Sequence, residues 1–243
     1  MVIACSVLLF RITYDLKTWC FGSTIVVRPS VSYDYLLHLP RGYTDFGKPR
    51  PLIVFLHGAG EVGKDVHVLK KLDVFRYANG AVPMKDFPFI VVSPLTPIRG
   101  WNPKGVINFL DRFLEDNRFR YRIDPTRIYL TGFSMGGFGT FNVASEYPDR
   151  FAAIVPLAGG CDPEKAEKLM TVPTWAFHGD ADDVVDYECT KKIIDAMQEH
   201  HHPNLHFTTL PGAGHGIPRL VYIKPELYKW LLQQKIQPTT TDE

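Results

Sequence analysis

The sequence predicts an α/β fold with a mainly parallel central sheet, and three observations carry that expectation. From about residue 32 onward, short β-type runs alternate with segments of helical period. Several of those runs are apolar at every position, as central strands covered on both faces must be. The stretch LTGFSMGG at 130–137 sets a serine between glycines where a strand run gives way to a helix-compatible one.

The elements follow in order. Residues 1–10 (MVIACSVLLF) are apolar and closed by Arg11. This run is too short for a bilayer, which needs about 20 apolar residues, so no integral membrane segment is expected. No Lys or Arg precedes it and no clear small-residue cleavage site follows, so it lacks the signature of a secretory leader. Residues 11–17 (RITYDLK) alternate like a strand, and 1–31 reads as an N-terminal arm or edge strand. An unprocessed chain belongs in the cytoplasm; a processed leader would make it a secreted protein.

Strand runs then fall at 33–39, 52–56, 87–92, 127–130, 152–157, 174–177 and 205–210, most of them bounded by Pro, Gly or Asp. Between them, Ile107, Leu110, Phe113 and Leu114 share one face of a helix over 106–116. Ile193, Ile194 and Met197 do the same before His200, and Leu227, Trp230 and Leu231 near the end. With no repeat or linker-like shift in composition, 32–236 reads as one domain and 237–243 (QPTTTDE) as a flexible tail.

Composition removes several functions. Lys+Arg 27 against Asp+Glu 26 leaves a net charge of +1, which argues against a nucleic-acid binder with its marked basic excess. Cys5, Cys20, Cys161 and Cys189 are scattered and form no C-x-x-C pair, so neither a disulfide scaffold nor a zinc site is expected. His200, His201 and His202 read as a solvated helix end, since no carboxylate or Cys ligand spacing accompanies them. No metal and no cofactor is expected.

The chemistry gathers at loops after strands. In Gly132-Phe133-Ser134-Met135-Gly136, a sharp strand-to-helix turn would lift the Ser134 hydroxyl clear of the sheet, and glycines would flank it because a β-carbon there would collide. After a later strand comes the acidic loop His178-Gly179-Asp180-Ala181-Asp182-Asp183, with Asp186 beyond it. After the last strand comes Gly212-Ala213-Gly214-His215-Gly216. A nucleophile, an acid and a base in that chain order fit acyl transfer by a serine. His215, in a glycine-flanked loop, is the best base; His178 reads as structural. Chemistry alone leaves Asp180, Asp182, Asp183 and Asp186 open as the acid. Upstream, residues 52–56 run into His57-Gly58-Ala59-Gly60-Glu61, a turn that could offer the Ala59 amide to an oxyanion beside that of Met135.

These motifs, with YLLHLPRGY, PLIVFLHGAGE, PDRFAAIVPLAGG and VPTWAFHGDADDVV, resemble the α/β-hydrolase superfamily. More narrowly, they resemble compact carboxylesterases often labelled predicted peptidases, kin to phospholipase/carboxylesterases, feruloyl esterases and polyhydroxybutyrate depolymerases. The resemblance implies an α/β-hydrolase fold and selects Asp182 as the acid through an H-G-x-x-D-x-x-V pattern that Val185 completes. It also implies that Trp101 borders the site; Phe133 and Gly60 are further candidate pocket residues. Only 158–172 separates two strand runs where lids are usually inserted, so no cap domain and an open groove are expected, with a short helix over 164–170. The expected activity is hydrolysis of a small-molecule ester, short-chain or aryl. A serine peptidase and a non-catalytic hydrolase-like binding protein are the alternatives. The oligomeric state is left open.

Overall fold

The computed structural model describes residues 23–27, 33–44, 46–81, 87–118 and 120–236. The apolar run at 1–10, the alternating segment at 11–17 and the tail at 237–243 lie outside the described residues.

Along the chain, the elements are β1 (Ser23–Val27), β2 (Tyr35–Leu39), β3 (Arg50–Leu56), α1 (Asp73–Arg76), β4 (Ile90–Pro94) and α2 (Pro103–Asn117). There follow β5 (Ile123–Phe133), α3 (Met135–Glu146), β6 (Ala153–Leu157), β7 (Thr174–Gly179), α4 (Glu188–Glu199), β8 (Leu205–Leu210), α5 (Pro218–Val221) and α6 (Pro225–Gln233). The strands form one sheet in the order β1-β2-β4-β3-β5-β6-β7-β8. β2 runs antiparallel to both β1 and β4, and every pairing from β4 to β8 is parallel.

Period-two alternation explains why the central runs are apolar throughout. Leu52, Val54 and Leu56 of β3 point to one face, where they join Leu130, Val106, Leu110, Phe141 and Met197 from β5, α2, α3 and α4. Ile53 and Phe55 point to the other, against Tyr129, Val74, Tyr222, Tyr228 and Leu231. Each face of the sheet thus has its own core. Two helix starts are set by their sequence: the Asn102 side chain accepts from the Gly105 amide with Pro103 following it, and Asp65 accepts from His67 N at the 3-10 helix Val66–Lys71.

Three expectations need adjusting. The run at 87–92 becomes strand only at Ile90 and continues to Pro94, because Phe87 and Phe89 pack as rings against Tyr228. The run at 127–130 is the middle of an eleven-residue strand whose pairing with β3 shifts register between Arg50 and Leu52. Between β3 and β4, the segment at 66–81 holds the 3-10 helix, α1 and a π-turn over Tyr77–Ala81. The short helix expected at 164–170 is a 3-10 helix over Pro163–Leu169, with Ala166 and Leu169 buried.

Strand order reverses beside β3: the chain steps outward to β4, then returns to β5 on β3's other side. Such a reversal opens a crevice beyond the carboxyl ends of the strands. His57 and Ser134 both follow strands that end there.

Candidate active site

Ser134 sits between β5 and α3 at φ 58°, ψ −119°, a conformation that L side chains rarely adopt and that costs on the order of 1–3 kcal/mol. The surrounding backbone holds it there. Ser134 N donates to Leu157 O at 2.9 Å, and Phe138 N donates to Ser134 O at 3.0 Å. The turn needs glycine because α3 starts almost against β3. A Cβ on Gly136 would fall within the Leu56 carbonyl, and one on Gly132 would meet Leu56 O at 2.8 Å. Both contacts are with backbone, which cannot rotate away. Gly136→Ala is therefore expected to destabilise the fold by about 3 kcal/mol, whereas Gly60→Ala, with nothing within 4 Å of the added carbon, should leave stability nearly unchanged. Urea titration of both variants measures the difference.

Three side chains from three loops meet here. His215 Nε2 lies 3.0 Å from Ser134 Oγ, and His215 Nδ1 lies 2.8 Å from Asp182 Oδ2. The other oxygen of Asp182 accepts from the amides of Val184 and Val185, each at 2.9 Å. Burial alone would raise the Asp182 pKa, but the hydrogen bonds from His215, Val185 and Val184 outweigh it and hold the carboxyl below its ordinary value. The neighbouring acids are placed otherwise. Asp180 accepts from Gly212 N at 2.6 Å and clasps the His215 loop, Asp186 accepts from Glu188 N at the start of α4, and Asp183 is exposed.

Met135 is the first residue of α3, so no intrahelical carbonyl can reach its amide. Ala59 opens a 3-10 turn over Ala59–Glu61 directly after β3.

The sequence profile of the phospholipase/carboxylesterase family matches residues 106–222. Among curated relatives, the bifunctional acetylxylan esterase/xylanase XynS20E of Neocallimastix patriciarum is 29% identical over 118 residues, which is 47% of this chain and 18% of that one. The putative esterase NocK of Nocardia uniformis subsp. tsuyamanensis is 27% identical over 162 residues, 61% of this chain and 44% of the relative. The chain thus spans less than half the length of either. A crystal structure described as a thermostable esterase superposes with a TM-score of 0.69 at 26% identity, covering 88% of this chain and 63% of that one. The chain belongs to the α/β-hydrolase superfamily.

In this α/β-hydrolase, the three candidate pocket residues have different surroundings. Gly60 is exposed at the mouth of the loop. Phe133 tilts against the His215 imidazole, with ring centroids 4.6 Å apart. Trp101 is packed beside the loop after β3. It is 7% exposed, its indole N–H donates to His57 O at 3.0 Å, and its ring presses on Gly139 so closely that a Cβ there would lie 2.8 Å from it. A tryptophan in a post-strand loop reads equally as lining or as packing; its indole N–H here is committed to a backbone carbonyl.

Sequence reasoning also missed two histidine roles. His178 is fully buried, and its Nε2 lies 3.0 Å from Val185 O and 3.3 Å from Asp182 Oδ2. It is therefore a second imidazole on the acid, as well as a strand-end residue. His202 is no solvated cap: its Nε2 faces the carbonyls of Leu169 and Val172 at 3.0 and 3.1 Å, and its Nδ1 accepts from Asn204 N. Only a hydrogen-bond map could separate it from the exposed His200 and His201.

Burial lowers the pKa of His57 to about 4 and depresses those of His178 and His202. Between the ordinary value of 6.5 and about 4, the unfolded chain binds a proton at position 57 that the folded chain refuses. Stability is then full above about pH 6.5 and falls as pH drops through that window, by about 3 kcal/mol for His57 alone. Urea melts at pH 7 and pH 4.5 should show this loss, and His57→Asn should flatten it.

Proposed function

We propose that this chain is a serine carboxylesterase acting on small carboxylic esters, short-chain or aryl. The observation that carries the reading is the continuous relay from Ser134 Oγ through the His215 imidazole to Asp182, at 3.0 and 2.8 Å, on a strained strand-to-helix turn. In the proposed reaction His215 Nε2 takes the Ser134 proton as Oγ attacks the ester carbonyl. Asp182 fixes the proton on Nδ1 and stabilises the imidazolium. The negative charge on the carbonyl oxygen meets the N–H groups of Ala59 and Met135. His215 then protonates the leaving alkoxide, and an acyl-enzyme remains on Ser134. Water, deprotonated by His215, repeats the attack and releases the acid.

Two features support a small ester. The connection at 158–172 is taken up by its 3-10 helix and carries no inserted domain, and Gly60 leaves the loop side of the site open. The name of XynS20E, an acetylxylan esterase, is consistent with a short acyl group. A panel of p-nitrophenyl esters from acetate to long acyl chains, with methyl ferulate and a peptide anilide alongside, tests the reading. Turnover of acetate or ferulate with little on the anilide is the expected result. Anilide cleavage at comparable kcat/KM would make it a peptidase. No fluorophosphonate labelling of Ser134 would make it a binding protein.

A further inference from the structure

The loop after β3 is held by side chains to a degree that its length does not require. His57 is fully buried beneath it. Its Nε2 accepts from Thr96 N at 3.1 Å, so that nitrogen carries no proton. The proton of the neutral ring is therefore on Nδ1, which donates to Gly58 O at 2.7 Å. The Gly58 carbonyl and the Ala59 amide belong to one planar trans peptide, so fixing the oxygen on one side turns the Ala59 N–H to the opposite side. The preceding peptide is held at its oxygen. Its oxygen, His57 O, accepts from Trp101 Nε1 at 3.0 Å, and the Glu61 carboxylate stands beside the ring, Oε2 3.9 Å from His57 Nδ1.

We propose that His57 is a positioning residue for the oxyanion site, with Trp101 as its partner. Together they lock the two peptides around Gly58 so that the Ala59 N–H is aimed before substrate arrives. The proposal rests on the esterase reading for its consequence in turnover, but the grip itself is a property of the resting protein. Water would otherwise hydrate the Gly58 carbonyl and let the peptide flip, and a flipped peptide presents an oxygen to the developing oxyanion. Packing alone does not explain the arrangement, because an apolar side chain would fill the space under the loop without selecting a peptide orientation.

Two amide variants separate aiming from filling. In His57→Asn the side-chain amide can stand where Nδ1 stands and keep the bond to Gly58 O; in His57→Gln it reaches the Nε2 position and keeps Thr96 instead. Both lose ring packing, so both should melt at similar, lower temperatures. Expected is a kcat for His57→Asn within about fivefold of wild type and a kcat for His57→Gln reduced about 10²-fold, the scale of losing one oxyanion donor, with KM changed little in either. Equal kcat in the Asn and Gln variants, or losses confined to KM, would overturn the proposal. The ¹⁵N spectrum of the wild-type imidazole provides a readout independent of turnover: a His57 ring protonated at Nε2 would overturn it even if the enzyme is active. Failure of fluorophosphonate to label wild-type Ser134 would sink the esterase reading, and the tautomer would still decide whether His57 grips Gly58.

Discussion

Ser134→Ala is expected to lower ester turnover by about 10⁴-fold or more while the protein melts within a few degrees of wild type. Alanine keeps the β-carbon and the strained backbone, so only the hydroxyl is lost, and that hydroxyl is the atom on which the acyl group would reside. What remains is background attack by water beside the proposed oxyanion amides of Ala59 and Met135. Ser134→Gly makes the complementary test. Glycine adopts φ 58° without steric cost, which removes strain of roughly 1–3 kcal/mol, while greater freedom in the unfolded chain returns about 0.4–1 kcal/mol of that. The glycine variant should therefore be equally inactive and more stable than wild type by about 1 kcal/mol. Initial rates on p-nitrophenyl acetate and urea melts measure both. Near-normal turnover in the alanine variant would remove Ser134 from the mechanism. A glycine variant less stable than the alanine one would show that the turn stores no strain.

Such a turn is legible in sequence because its cause is local. Gly132 and Gly136 stand where a β-carbon would strike the Leu56 carbonyl, and two glycines around a serine after an apolar run express that constraint directly. The parallel core is legible for a similar reason: β3 buries Ile53 on one face and Val54 on the other, and both must be apolar. Where a residue's role depends on a partner distant in the chain, composition and period carry no trace of it. Trp101 finds its acceptor at His57 and His178 faces Asp182 across a loop, while Phe87 becomes a packed ring instead of a strand residue because Tyr228 is beside it. The choice among four aspartates shows both sides. The chemistry of the loop leaves all of them possible, and a family spacing selects Asp182. Geometry separates them because Asp180 is occupied by Gly212 N and Asp186 by Glu188 N.

Asp182→Asn is expected to reduce kcat by about 10⁴-fold without unfolding the protein, and the hydrogen-bond directions say why. Asp182 Oδ1 accepts from two backbone amides, so the asparagine must place its carbonyl oxygen there and its NH₂ on the other side. That NH₂ then faces His215 Nδ1, which lay 2.8 Å from the carboxylate, and donates to it. The imidazole responds by carrying its proton on Nε2, where it points at Ser134 Oγ and cannot accept the serine proton. The same NH₂ meets His178 Nε2, a nitrogen already directed at the Val185 carbonyl, and this donor–donor contact should cost on the order of 1–3 kcal/mol of stability. Asp180→Asn, Asp183→Asn and Asp186→Asn leave the His215 tautomer alone and should keep kcat within a few fold of wild type. The comparison with Asp182→Ala isolates the cause: alanine removes the carboxylate without supplying a donor, so the ring retains access to the productive tautomer. Steady-state kinetics should therefore place the alanine variant above the asparagine one. The opposite order would mean that Asp182 acts by holding the ring in place and not by choosing which nitrogen bears the proton.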